Sequence, residues 1–145
     1  MDFPISTKAK KILVIDDSEM MRKFLKGMLS QMFEVEGAES AVEGLEKLYF
    51  KSVPDLVILD LNMKEMNGYE LLRRIRAEKR FDSLKVLILS GEKNSGERIN
   101  CLEMGAEDYV VKPFNPKELK LRIAKLVGAS VESIKEKDSL KSVKS

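Results

Sequence analysis

The chain has 145 residues, enough for one domain with a real hydrophobic core. Apolar residues make up 43% and charged residues 34%, a globular composition, not a disordered one. A net charge of +2, from 26 basic and 24 acidic residues, argues against direct nucleic-acid binding.

Further classes fall to single features. The longest apolar runs, such as Leu56 to Leu59, are too short to cross a bilayer, so membrane insertion is not expected. The N-terminus has no apolar signal-peptide core, and the single cysteine, Cys101, permits no internal disulfide. Both favour a cytoplasmic protein. Histidine is absent, which removes histidine acid–base catalysis and a phosphohistidine within this chain.

In chain order, residues 1–9 form a short polar leader, and the domain is expected over residues 10–128. Lys11–Ile15 is a β-branched run that reads as a buried strand and is followed at once by Asp16 and Asp17. From Ser18 to Met32, apolar residues recur with a helical period. Phe33 to Gly37 alternates like a half-exposed strand. Ser40 and Glu43 match a capping box, with a helix to about Phe50. Pro54 breaks the chain before the apolar strand Asp55–Asp60. Gly68 opens a helix with Leu71, Leu72 and Ile75 on one face. Leu84–Leu89 is another buried strand, ending at Ser90 and Gly91. Asn94–Met104 reads as a shorter helix stopped by Gly105, and Tyr109–Val111 as a short strand. Asn115, Pro116 and Glu118 supply an N-cap, a proline at the first helical position and an early acid, for a helix to about Val127. Residues 129–145 are rich in Ser and Lys and are expected to form a mobile polar tail.

Five apolar strands alternating with five amphipathic helices imply an α/β fold, a parallel sheet covered on both faces. In such sheets, ligands bind beyond the carboxyl ends of the strands. There the first strand supplies Asp16 and Asp17, the third Asp60, the fourth Ser90 and the fifth Lys112. The second contributes Glu36 to Glu39, with no clear role. Each residue alone has an ordinary explanation as a cap, a loop serine or a surface lysine; their joint placement on one edge points to a site. Gathered carboxylates repel by roughly 4 kcal/mol per close pair at an effective dielectric of about 20. A hard divalent cation, Mg²⁺, relieves this, and Lys112 and Ser90 add a second cation and a hydroxyl. An oxygen nucleophile, a metal, a lysine and a donor are the parts that phosphoryl transfer uses.

These residues resemble the receiver domains of two-component response regulators. The resemblance runs from about Lys10 to Val127 and rests on Ile12–Asp17, Asp60–Met63, Leu89–Gly91 and Val111–Phe114. It implies a flavodoxin-like doubly wound sheet of strand order 2-1-3-4-5. It implies that Asp60 accepts a phosphoryl group from a histidine kinase or phosphotransfer protein. It further implies that Asp17, Asp60 and the backbone carbonyl of Asn62 hold Mg²⁺ directly and Asp16 helps through water, that Lys112 and Ser90 contact the phosphoryl group, and that Tyr109 turns inward behind Ser90. A cis Lys112–Pro113 bond is also implied.

Asn62 and Glu92, each two residues after a site residue, look like the pair in chemotaxis-type regulators and imply rapid loss of the phosphoryl group. Lys64 and Gly91 depart from the residues common at their positions, and Gly91 should leave space over the phosphate. The resemblance implies a switch, not a multiple-turnover enzyme, with a relay intermediate or a piece of a longer regulator as alternatives. An aspartate-nucleophile phosphatase fits poorly, because Asn62 stands where its general acid would be. A flavodoxin-like FMN binder fits poorly too, because Asp16, Asp17 and Glu19 would repel a phosphate. The basic run Arg73, Arg74, Arg76, Lys79 and Arg80 reads as a solvated face, and Cys101 as partly buried.

Overall fold

A computed structural model describes residues 9–131. The expected leader and mobile tail therefore lie almost wholly outside the described residues. Five strands, β1 (Lys11–Ile15), β2 (Glu34–Ala38), β3 (Leu56–Asp60), β4 (Lys85–Ser90) and β5 (Asp108–Val111), alternate with five helices. The helices are α1 (Glu19–Leu29), α2 (Ala41–Phe50), α3 (Gly68–Arg76), α4 (Ser95–Glu103) and α5 (Pro116–Val127). The sheet order is β2-β1-β3-β4-β5 and every pairing is parallel, as expected from the apolar strands. No described helix is long and apolar enough to cross a membrane.

Strand alternation divides the core in two. Leu13, Ile15, Val57, Leu59, Val86, Ile88 and Tyr109 face α2, α3 and α4. Ile12, Val14, Leu56, Ile58, Leu87 and Leu89 face α1 and α5, meeting Leu25, Leu29, Leu119 and Ile123. Burial on both faces is why β3 is apolar until its last residue, Asp60.

The helix starts follow the sequence. Ser18, Ser40 and Asn115 accept from the N–H groups of Met21, Glu43 and Glu118, and Pro116 opens α5. The capping box is shifted by one, because Glu43 Oε2 accepts from Glu39 N at 3.3 Å. Gly128 closes α5 at φ 72°, a left-handed position that suits glycine.

Three features differ from expectation. α1 ends at Leu29, not Met32, because Phe33 turns back into the α1–α5 core and is 4% exposed. A 3₁₀ turn at Lys79–Phe81 follows α3 and buries Phe81 completely; it is too short to have a period. The basic run is not one solvated face. Arg76 donates to the carbonyls of Gly105, Phe81 and Leu84 at 2.9, 3.0 and 2.7 Å and pairs with Glu107.

Candidate functional site

The sheet topology creates the site. Chain order reverses between β1 and β3, the switch point where open α/β sheets bind ligands. Ile15 pairs with Leu59, so Asp16 and Asp60 leave the sheet side by side. Asp17 joins them, and one carboxylate oxygen from each residue lies within 4.8 Å of the others. Asp16 and Asp60 are buried and Asp17 is exposed, so the cluster has an open side. A cleft of about 270 Å³ opens there, lined by Asp17, Glu39, Met63, Lys64 and Met66. Larger grooves flank the β2 edge, but their charges largely pair internally, as Lys47 and Lys51 do with Glu36.

Lys112 follows β5 and reaches into the cluster, with Nζ 3.8 Å from Asp16 Oδ2 and 3.6 Å from Asp60 Oδ1. Its own N–H donates to the Ser90 carbonyl at 2.7 Å, which ties the end of β5 to β4. The Lys112–Pro113 bond is cis, as the family resemblance implied. Two backbone donors hold the acids in place. Ser18 N donates to Asp16 Oδ1 at 2.9 Å, and Asn62 N donates to Asp60 Oδ1 at 3.1 Å.

Among the described residues, one buried side-chain oxygen has an ion-pair partner but no hydrogen bond. Asp16 Oδ2 is buried and has no hydrogen-bond partner. Burial raises the Asp16 carboxyl above its ordinary value, and the Asp60 and Asp17 charges push the same way. The Ser18 N–H and Lys112 oppose the rise without cancelling it. A buried acceptor in an all-oxygen set of three carboxylates fits a hard divalent cation such as Mg²⁺. That cation would supply the charge the cluster lacks.

Two other expected residues, Ser90 and Tyr109, lie on the α3–α4 side of the sheet. Alternation carries Ser90 toward α3 and α4, with Val86 and Ile88, and Ser90 is fully buried. Its hydroxyl accepts from Glu92 N at 3.1 Å. Tyr109 is inward and 6% exposed, and its hydroxyl donates to the Glu92 carbonyl at 2.8 Å. Burial first, then Glu97, pushes its phenol up to about 12. The Asn62 side chain is exposed beside the cluster. Glu92 turns away from the acids, and its carboxylate accepts from Asn94 N at 3.0 Å, bracing the start of α4. Gly91 has open space around it, as expected from its missing side chain.

Two residues were not foreseen. Glu97 accepts from Ser90 Oγ at 2.9 Å and touches the Tyr109 hydroxyl. Arg22 donates to the Asp16 carbonyl at 2.7 Å. The signal for Glu97 was present: it stands four residues before Cys101 on one helix face, and that face enters the core. Cys101 is fully buried, not partly, and burial pushes its thiol up to about 11.

The family model for the response regulator receiver domain matches residues 12–124. The chemotaxis protein CheY1 of Helicobacter pylori strain J99 is 38% identical over 122 residues, 83% of this chain and 98% of that one. The CheY homolog of Campylobacter jejuni strain 81-176 is 37% identical over 120 residues, 81% of this chain and 92% of that one. Among solved structures, Vibrio cholerae CheY4 overlays with a TM-score of 0.75 at 29% identity, covering 81% of this chain and 98% of that chain. The BeF₃-activated DrrB receiver domain overlays at 0.74 with 28% identity, covering 83% of this chain and 98% of that chain. With the acidic cluster, the lysine and the buried hydroxyl all at the carboxyl edge of this sheet, the chain belongs to the response-regulator receiver family, and its relatives are of the CheY type.

Proposed function

We propose that the protein is a phosphorylation switch whose phosphate acceptor is Asp60. The observation that carries this reading is the set of Asp16, Asp17 and Asp60 around a buried carboxylate oxygen that has no hydrogen bond, with Lys112 beside it. Asp16, Asp17, Asp60 and the Asn62 carbonyl would hold Mg²⁺, which would supply positive charge to offset that of the transferred group. A carboxylate oxygen of Asp60 attacks the phosphorus of a donor phosphohistidine. The new P–O bond forms as the P–N bond breaks, and the leaving imidazole takes a proton from solvent. Lys112 moves its ion pair from Asp60 to the phosphoryl oxygens, and Ser90 donates its hydroxyl hydrogen to them.

The donor is a histidine kinase or phosphotransfer protein, docked beside the cluster. Met20 and Phe24 of α1 are 82% and 50% exposed, and Phe24 packs against Phe114 at 6.1 Å, a small apolar surface next to the acids. The output surface is that of α4, β5 and α5, where Ile99 and Leu102 stand exposed. The protein is a regulator that modifies itself, not a turnover enzyme, and a cytoplasmic setting suits its buried free thiol.

Intact-mass spectrometry after incubation with phosphoramidate tests the reading. One phosphoryl group is expected on wild type with Mg²⁺, and none with EDTA or in Asp60→Asn. Undiminished incorporation in Asp60→Asn would overturn it.

A further inference from the structure

A second polar cluster lies behind the acidic one, on the α3–α4 side of β4. Its centre is Glu97, in the first turn of α4. Glu97 Oε2 accepts the Ser90 hydroxyl at 2.9 Å and is also the partner of the Tyr109 hydroxyl. Tyr69 of α3 lies nearby, and burial first, then Glu97, pushes its phenol up. Two hydroxyls, from β4 and β5, thus converge on one carboxylate of α4.

The Ser90 hydroxyl has a single hydrogen. Here that hydrogen points to Glu97, while the oxygen accepts from Glu92 N. Ser90 is fully buried, so water cannot readily replace either partner. A phosphoryl group on Asp60 needs the same hydrogen, because its oxygens are acceptors. Ser90 cannot donate fully to both.

We infer that Glu97 is a positioning residue of the phosphoryl-accepting site: it holds the Ser90 hydrogen on the α4 side and must release it when Asp60 is modified. This rests on Asp60 being the acceptor. Release alters the bonding of α4 directly, because Glu97 belongs to that helix. The Tyr109 hydroxyl also has one hydrogen, with both the Glu92 carbonyl and Glu97 in reach, so the carbonyl can take that hydrogen wholly when Glu97 changes partners.

Removing Glu97 frees the Ser90 hydrogen. The affinity for beryllofluoride, a phosphoryl mimic, should rise about tenfold, the scale of one charge-assisted hydrogen bond. A carboxylate also repels an anion through space, so the test needs a double-mutant cycle. Beryllofluoride binding with Mg²⁺ is measured by ¹⁹F NMR in wild type, Glu97→Ala, Ser90→Ala and the double variant. The expected result is a gain from Glu97→Ala in the Ser90 background and little gain in the Ser90→Ala background. An equal gain in both backgrounds, or none in either, would overturn the inference while leaving Asp60 as acceptor. Failure of wild type to bind beryllofluoride would instead overturn the reading of Asp60, and this inference with it. If circular dichroism shows Glu97→Ala unfolded, Glu97→Gln carries the cycle. It keeps an acceptor oxygen without the charge, so a smaller gain is expected that again needs Ser90.

Discussion

Asp16 bears the electrostatic cost of the site. Burial and its acidic neighbours raise its carboxyl, so the folded chain holds that proton more strongly than the unfolded chain does. Without metal, its contribution to stability therefore falls as pH rises from the ordinary value of 3.8 through the raised one. Asp16→Asn removes the penalty. In EDTA at neutral pH, the variant should unfold at a higher urea concentration than wild type, and the advantage should fade below pH 3.8. With saturating Mg²⁺ the order should reverse, because the variant has lost a ligand. Gly91 makes a different prediction. A Cβ there meets nothing within 4 Å, so Gly91→Ala should fold like wild type. The added methyl should slow loss of the phosphoryl group from Asp60, followed as the decay of the phosphorylated mass. An unchanged decay would mean that Gly91 does not govern access to the phosphate.

Helix α3 shows how an element is fixed to the site. A Cβ on Gly68 would lie 2.6 Å from Leu61 Cα and 2.8 Å from the Asp60 carbonyl oxygen. Both obstacles are backbone, so no side chain can swing aside. Gly68→Ala should cost roughly 1–3 kcal/mol in urea unfolding and weaken Mg²⁺ binding, because the shift falls on the segment that carries Asp60. At its other end, Arg76 joins α3 to the start of β4 and the loop before β5 through three carbonyls. Arg76→Ala leaves those acceptors without their donor and should cost about 3 kcal/mol. Arg73 is the control. Its side chain is 68% exposed and pairs with Glu70, so Arg73→Ala should change stability by about 0.5 kcal/mol or less. Identical losses from the two arginines would contradict this division.

For the whole molecule, Mg²⁺ binding at the acidic cluster would make folding and metal binding one equilibrium. The acids at the ends of β1 and β3 come together only in the folded sheet, so Mg²⁺ would bind the native chain and not the unfolded one. Stability should rise by about 2.7 kcal/mol at a hundred times the dissociation constant. Thermal unfolding against Mg²⁺ concentration reads this, and Asp60→Asn should flatten the response. The two faces of the sheet then divide the work. Asp16, Asp60 and Lys112 gather at the edge, while Ser90 and Tyr109 face α3 and α4. The sheet is the partition between the chemistry and the helix that Glu97 ties to it.

The sequence by itself determined the order of elements, the parallel sheet, the helix caps and the residues of the acidic edge. These follow from local periods, caps and apolar runs, whose physics is contained in neighbouring residues. It also carried Asp16, Asp17, Asp60, Ser90 and Lys112, because strand ends can be counted without coordinates. Only the tertiary structure decided which long side chains belong to the interior. Arg76 reads as one of a basic run, yet it holds three carbonyls, of Phe81, Leu84 and the distant Gly105. Glu97 reads as a helix-start acid, yet it meets hydroxyls from β4 and β5. The end of α1 was decided by Phe33 finding a core made by α5. In each case the partner belongs to another element or loop, and side-chain reach between elements has no period to read.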